Sequence, residues 1–201
     1  MYIARILYPV KVLGPGNRIG IWVCGCPHRC PGCSNPELWE FQERYHTTLD
    51  TVMELIRSIS RQAPVDGFTI TGGEPFYQYD ELFQLVSQLQ EISPDILVYS
   101  GYTKEQLADK DLTHIAVLVD GPYIEARNTN VPLRGSDNQV IHILKDDYRE
   151  LYDNYLSSTH NQIQNFTTKD GVISVGIHKP DFAKVFSQTI ADKKSGLIEC
   201  S

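Results

Sequence analysis

The chain has no block of lysine or arginine. Its 18 Lys and Arg are outnumbered by 25 Asp and Glu, giving a formal net charge of -7. A nucleic-acid surface normally needs a basic stripe or patch, so neither DNA nor RNA is expected as a partner. No apolar run approaches the ~20 residues that cross a bilayer, which leaves no membrane partner either. The N-terminus lacks the charged start, apolar stretch and small-residue cleavage site of a secretory signal. Together these absences predict a cytoplasmic protein. There is also no low-complexity tract, internal repeat or linker-like stretch. With 201 residues, 41% of them hydrophobic, the chain is long enough to bury one core without disulfides.

Cysteine is scarce, but it is not scattered. There are five, an odd number. Cys24, Cys26, Cys30 and Cys33 fall within ten residues, and Cys200 sits next to the C-terminus. In a reducing compartment such a cluster points to metal or catalysis rather than disulfides.

Strand-like and helix-like patterns alternate. The first residues alternate as a strand does. Ile19–Val23 and Phe68–Thr71 read as short strands ending at glycine-rich or cysteine-rich loops, and Ile96–Tyr99, Ile115–Val119 and Val140–Leu144 are short apolar runs of the length expected for buried parallel strands. Val52, Leu55, Ile56 and Ile59 share one helical face, as do Leu82, Leu85, Val86 and Leu89. A weaker helix is expected over Lys104–Asp109. This alternation argues for an α/β protein with right-handed crossovers and a parallel sheet. After Leu144 the pattern changes. Tyr148, Leu151, Tyr152 and Tyr155 suggest another helix, whose tyrosines are read as packing rather than as a binding face. Lys169-Asp170-Gly171 then separates two β-like runs, a hairpin signal, and a short helix is expected after Pro180.

The sharpest chemical signal is Cys26-Pro27-His28-Arg29-Cys30-Pro31-Gly32-Cys33. Three thiolates on one short loop suffice for three irons of a cubane cluster and leave the fourth iron open. Structural clusters and zinc sites usually close all four positions. The competing reading is a structural zinc with Cys24 as fourth ligand, since zinc accepts four thiolates at many spacings. The loop follows a strand, which aims it at the carboxyl edge of the sheet, where ligands bind in α/β folds. Thr71-Gly72-Gly73-Glu74-Pro75 also follows a strand. Its glycines expose backbone groups and permit close approach of a ligand. An ordinary strand-to-helix turn is the alternative.

These residues resemble the radical S-adenosylmethionine (SAM) superfamily, and within it the activating enzymes of glycyl radical enzymes. The resemblance is carried by Gly14-Pro15-Gly16-Asn17-Arg18, Gly25–Cys33, Asn35-Pro36, Thr71–Pro75, Ser100-Gly101-Tyr102, Asp120-Gly121 and Arg134-Gly135-Ser136-Asp137-Asn138-Gln139. It covers roughly residues 1–145. The Arg134–Gln139 stretch is similar to the activases of anaerobic ribonucleotide reductase.

The resemblance implies a partial (βα)6 barrel over residues 1–145. Residues 146–201 would form a small C-terminal α+β appendage packed on it, not an independent domain. It implies a [4Fe-4S] cluster on Cys26, Cys30 and Cys33, with SAM chelated at the open iron. An electron would cleave SAM to methionine and a 5'-deoxyadenosyl radical. The backbone at Gly72 and Gly73, with Glu74 beside it, would meet the SAM amino group. Gly32 to Ser34 would lie along the adenine, and Ser100 and Asp120 near the methionine and ribose. No further catalytic residue is implied. The implied partners are a glycyl radical enzyme, anaerobic ribonucleoside-triphosphate reductase, and a flavodoxin- or ferredoxin-type electron donor. A bulky residue at Gly73 is expected to block SAM and spare the iron. A radical SAM enzyme acting on a peptide or small molecule, and a non-catalytic zinc- or cluster-stabilised interaction module, are the competing functions.

Several residues carry two readings each. Cys24 alternates with Val23 and points either into the core or toward the metal. Cys200 reads as a tail thiol. His28 and Arg29 either tune the cluster by charge or face solvent. His142 either faces SAM or is a satisfied core histidine. Arg134 pairs with a carboxylate of a ligand or partner, or forms a surface salt bridge.

Overall fold

The computed structural model describes residues 1–158, 162–169, 171–180 and 182. Cys200, and most of the stretch where a helix is expected after Pro180, lie outside them. Six strands form one sheet in sequence order: β1 (Ile3–Val10), β2 (Arg18–Val23), β3 (Gly67–Gly72), β4 (Ile96–Tyr99), β5 (Val117–Asp120) and β6 (Val140–Ile143). The four inner strands run parallel, and β1 and β6 pair antiparallel at the two edges. β2 and β5 are buried along their whole length, as strands covered on both faces are.

Two of the crossovers carry helices, α1 (Leu49–Gln62) and α2 (Tyr79–Leu89). Thr48 starts α1, its hydroxyl accepting the Thr51 N–H at 3.2 Å, which satisfies one of the free donors of the first turn. Val52, Met53 and Ile56 bury its apolar face, while Leu55 stays 48% exposed. The face expected from spacing is therefore rotated slightly, with Met53 where Leu55 was placed. In α2, Leu82, Leu85, Val86 and Leu89 are all buried. Lys104–Asp109 forms successive turns closed by three-residue bonds rather than a helix. Leu107 is the one side chain of the segment that reaches the core, too small an apolar face to sustain a helix.

A third helix, α3 (Arg149–Ser158), lays Tyr152 against Leu97, Val117 and Val119 on the other face of the sheet. The hairpin β7 (Ile163–Thr168) and β8 (Gly171–Gly176) packs outside β1, Val175 joining Val10, Leu13 and Trp22. Gln164 fixes it there: Nε2 donates to Pro9 O at 2.7 Å and Oε1 accepts from Lys11 N at 2.9 Å. No helix of the described residues is long and apolar enough to cross a membrane.

A buried ionic knot closes the amino edge of the parallel strands. Arg18 has no exposed surface. Its Nη1 donates to Asp95 Oδ2 at 2.6 Å, its Nη2 to Asp95 Oδ1 at 3.2 Å and to Phe68 O at 2.5 Å, and its Nε to Thr69 Oγ1 at 2.8 Å. The Tyr152 hydroxyl donates to Asp95 Oδ1 at 2.7 Å. Burial of the phenol pushes its pKa well above the usual value for tyrosine.

Candidate metal and cofactor site

At the opposite, carboxyl edge the chain leaves β2 at Val23 and enters the cysteine loop. Cys24 N–H donates to Tyr2 O, Gly25 N–H to Leu38 O and Cys26 N–H to Trp39 O. These bonds hold the loop's first limb, so the free part is the turn that carries the three thiols. The Thr71–Pro75 loop follows β3 and lies directly against it. Gly73 N–H donates to Val23 O and Glu74 N–H to Gly25 O, each at 2.8 Å. A Cβ on Gly73 would sit 2.4 Å from Gly25 O, too close for any side chain. The two loops are thus locked backbone to backbone.

Cys26, Cys30, Cys33, Ser34, Gly72, Gly73, Glu74 and Ser100, dispersed in sequence, line one cavity of about 160 Å³. Gly135 and Gln139 close its far side together with Gly121 and Tyr123. Gln139 acts as a brace: its Oε1 accepts from Gly135 N at 2.8 Å and its Nε2 donates to Gly121 O at 2.9 Å. Gly32 borders a second, adjoining cavity. Asp120 borders neither cavity. Its Oδ2 accepts the Lys104 N–H at 2.5 Å and lies 3.0 Å from His142 Nε2. His142 therefore faces Asp120 and a shallow pocket beside Lys104, away from the thiols. Arg134 turns inward on its own loop, Nη1 donating to Gln139 O at 3.2 Å.

The Glu74 carboxylate is buried and fully engaged. Its Oε1 accepts from Phe76 N and from Ser100 Oγ, each at 3.0 Å. Its Oε2 accepts from Gly101 N at 2.7 Å and lies 3.2 Å from His28 Nε2. His28 also meets Tyr102 edge to face at 4.5 Å. Glu74 and Ser100 thus spend their polar groups on joining the ends of β3 and β4 to the cysteine loop. What they leave to a ligand is shape. Arg29 points outward and pairs with Glu40.

The three thiols line one cavity, and a cubane cluster held by three thiolates keeps one iron without a protein ligand. Cys24 does not join them: it is fully buried and its thiol donates to Glu40 O at 2.7 Å. Burial raises the Cys26 and Cys33 thiol pKa values, with Glu74 and Cys33 adding to the effect at Cys26 and Cys30 and Glu37 at Cys33. Iron binding would therefore displace protons. Two donors favour charge at Cys33. Asn35 N–H donates to its sulfur at 3.4 Å. The buried Trp39 indole N–H, which also favours the Cys33 thiolate, has no acceptor in hydrogen-bond geometry among the described residues. Such an orphaned donor suits a site that gains sulfur acceptors.

Residues 12–142 match the family described as 4Fe-4S single cluster domain. The chain is also similar to anaerobic ribonucleoside-triphosphate reductase-activating proteins. It is 37% identical to that of enterobacteria phage T4 over 139 residues, which is 66% of this chain and 88% of the phage protein. It is 34% identical to that of Vibrio cholerae over 145 residues, 67% of this chain and 94% of the other. With that of Escherichia coli K12 it shares 31% over 148 residues, 69% of this chain and 96% of the other. This chain belongs to the reductase-activating protein family. No solved structure matches it. The cluster-domain match stops at residue 142, before α3 and the hairpin. Sequence reasoning missed that Gly135 and Gln139 wall the reductase-activating protein's cavity. Their motif was visible, but it carried no chemistry until the loop folded back on Gly121.

Proposed function

We propose that this protein generates a glycyl radical on an anaerobic ribonucleoside-triphosphate reductase, using SAM and a [4Fe-4S] cluster held by Cys26, Cys30 and Cys33. The observation that carries the proposal is the meeting of three thiols with the Gly72-Gly73 edge in one cavity, in a chain of the reductase-activating family. When bound and reduced, the cluster supplies the electron that cleaves SAM to methionine and the adenosyl radical, which takes a hydrogen from a glycine Cα to give 5'-deoxyadenosine and the glycyl radical. The chain's own residues orient and exclude. The three thiols would hold the metal, and the backbone of Gly72 and Gly73 would meet the SAM amino group. Glu74, through His28, Ser100 and Gly101, holds the loops in register. Gln139 and Tyr123 limit water entry from the far side.

On this reading the six-stranded sheet belongs to the partial (βα)6 barrel of the radical SAM type. Residues 1–145 are its core and 146–201 the appendage. Asp120 supports the ribose side through Lys104 and His142 rather than by direct contact, and the electron donor is a flavodoxin or ferredoxin. Anaerobic reconstitution, dithionite reduction and electron paramagnetic resonance test the proposal. The expected results are about four irons per chain, SAM-dependent 5'-deoxyadenosine, and the doublet of a glycine-centred radical on the reductase. A tightly bound stoichiometric zinc with no iron uptake would refute it.

A further inference from the structure

Beside the thiol cavity lies a larger one of about 580 Å³, bordered on one side by Gly32–Glu37 of the cysteine loop and on the other by the C-terminal hairpin. The two cavities share Cys33, Ser34 and Tyr123. Anything lying in the larger space therefore packs against residues that also line the thiol site.

The hairpin presents itself to this space in a particular way. Val172, Ile173 and Ser174 all border it, while no residue of β7 does. Successive residues of a strand point to opposite faces, so three in a row line a space only along the strand's edge. The register pairs Thr168 with Gly171, Phe166 with Ile173 and Gln164 with Val175. Across a two-residue turn the closing pair exchanges hydrogen bonds, and bonded pairs then recur at every second position. The N–H and C=O groups of Val172 and Ser174 consequently point away from β7, toward the cavity. Among the described strands β8 has β7 as its only neighbour.

We propose that the outer edge of β8 is the docking edge for the partner reductase, which lays an extended segment along it by strand addition and so delivers its glycine past Ser34 to the thiol cavity. This rests on the activase reading above and names the part of this chain that recognises the partner. An extended polypeptide is the occupant that fits, for three reasons. A strand edge offers alternating backbone donors and acceptors, which a peptide matches residue for residue. The cavity borders the site where a Cα–H must arrive, sharing Cys33, Ser34 and Tyr123 with it. And the hairpin that forms the edge lies outside the span matched to the cluster-domain family, as an element suited to one particular partner would.

Val172→Pro tests this. It removes an N–H that β7 does not use, and proline is tolerated at a strand edge, yet it blocks strand addition. Val172→Lys is the second variant, since it keeps every backbone group and places a charge at a residue already 47% exposed. Both are compared with wild type for iron content, for dithionite-driven SAM cleavage without reductase, and for affinity to the reductase by anaerobic gel filtration and titration. The expected result is unchanged iron and SAM cleavage, with affinity and glycyl radical yield lowered roughly tenfold or more. Variants that load iron, cleave SAM and bind the reductase as wild type does would overturn the docking edge while leaving the activase reading intact. If wild type itself cleaves SAM but neither binds the reductase nor forms a radical on it, the activase reading falls, and the docking edge with it.

Discussion

At the amino ends of β2, β3 and β4 a guanidinium, a carboxylate and a phenol are sealed together. At the carboxyl ends of the same strands three thiols line an open cavity. Arg18 and Asp95 leave almost no polar atom unmatched, as burial of charge demands. The cysteine loop turns three sulfurs to an open cavity and leaves one buried indole N–H without an acceptor among the described residues. One edge is closed by satisfying its groups, and the other is kept ready by bracing the loops from behind. Glu74 is the hinge of this contrast. It is as buried as Asp95, yet its four partners belong to the loops that must stay in place around a ligand.

The largest effect is expected where the two loops meet. The resemblance implies that a bulky residue at Gly73 blocks SAM and spares the iron. The contact with Gly25 O at 2.4 Å reverses the second half of that expectation. Gly73→Val must push the cysteine loop away before its side chain reaches any ligand, because the obstacle is backbone and cannot rotate aside. Iron bound after reconstitution should fall to a small fraction of wild type, while far-ultraviolet circular dichroism stays native. Full iron with loss of SAM binding would restore the simpler steric picture and show the loops to be less tightly locked than their hydrogen bonds indicate.

The sealed edge should respond in the opposite sense, with stability lost and chemistry kept. Asp95→Ala leaves the buried Arg18 guanidinium without its counter-charge. Removing one partner of a buried pair costs ~3–5 kcal/mol, which for a chain of this length lowers Tm by roughly 6–20 °C. Calorimetry of the reconstituted protein checks the shift. Iron per folded chain should not change, because no Asp95 atom approaches the cavity. A loss of iron in step with stability would mean that the two edges are coupled through the strands.

Much of this architecture was legible. The strands β2 to β5, the buried face of α2, the tail hairpin and the cysteine loop all follow from period, run length and motif, whereas β6, expected as a buried parallel strand, is an antiparallel edge strand that stays partly exposed. Local pattern does not carry what depends on distant chain segments. Leu55 is exposed because β-sheet packing chose Met53 for the core. Glu74 and Ser100 lie in the right cavity, but much of their hydrogen-bonding capacity goes to each other and to His28 and Gly101, 26 or more residues from Glu74, which no motif reveals. Arg18 stood within a recognisable Gly-Pro-Gly-Asn-Arg run, yet its partners Thr69, Asp95 and Tyr152 are spread across the chain. The resemblance puts Asp120 near the ribose; its carboxylate accepts the Lys104 N–H and lies 3.0 Å from His142 Nε2, partners that no local pattern reveals.

The smallest effect sharpens the comparison most, because it separates the polar seal from the packing around it. Tyr152 lies on α3, beyond the span matched by the cluster-domain family, and its hydroxyl ties the helix to the Arg18–Asp95 pair. Tyr152→Phe keeps the ring against Leu97, Val117 and Val119 and removes only the O–H. Asp95 Oδ1 retains the Arg18 Nη2–H at 3.2 Å, so no buried charge is stranded. The loss should then be that of one buried hydrogen bond to a carboxylate, ~1.5–3 kcal/mol, or roughly 3–12 °C in Tm. Iron content and SAM cleavage should match wild type. A Tm within error of wild type would show that α3 docks through apolar packing alone. A fall as large as that of Asp95→Ala would show instead that the phenol, and not only the guanidinium, keeps the carboxylate in place.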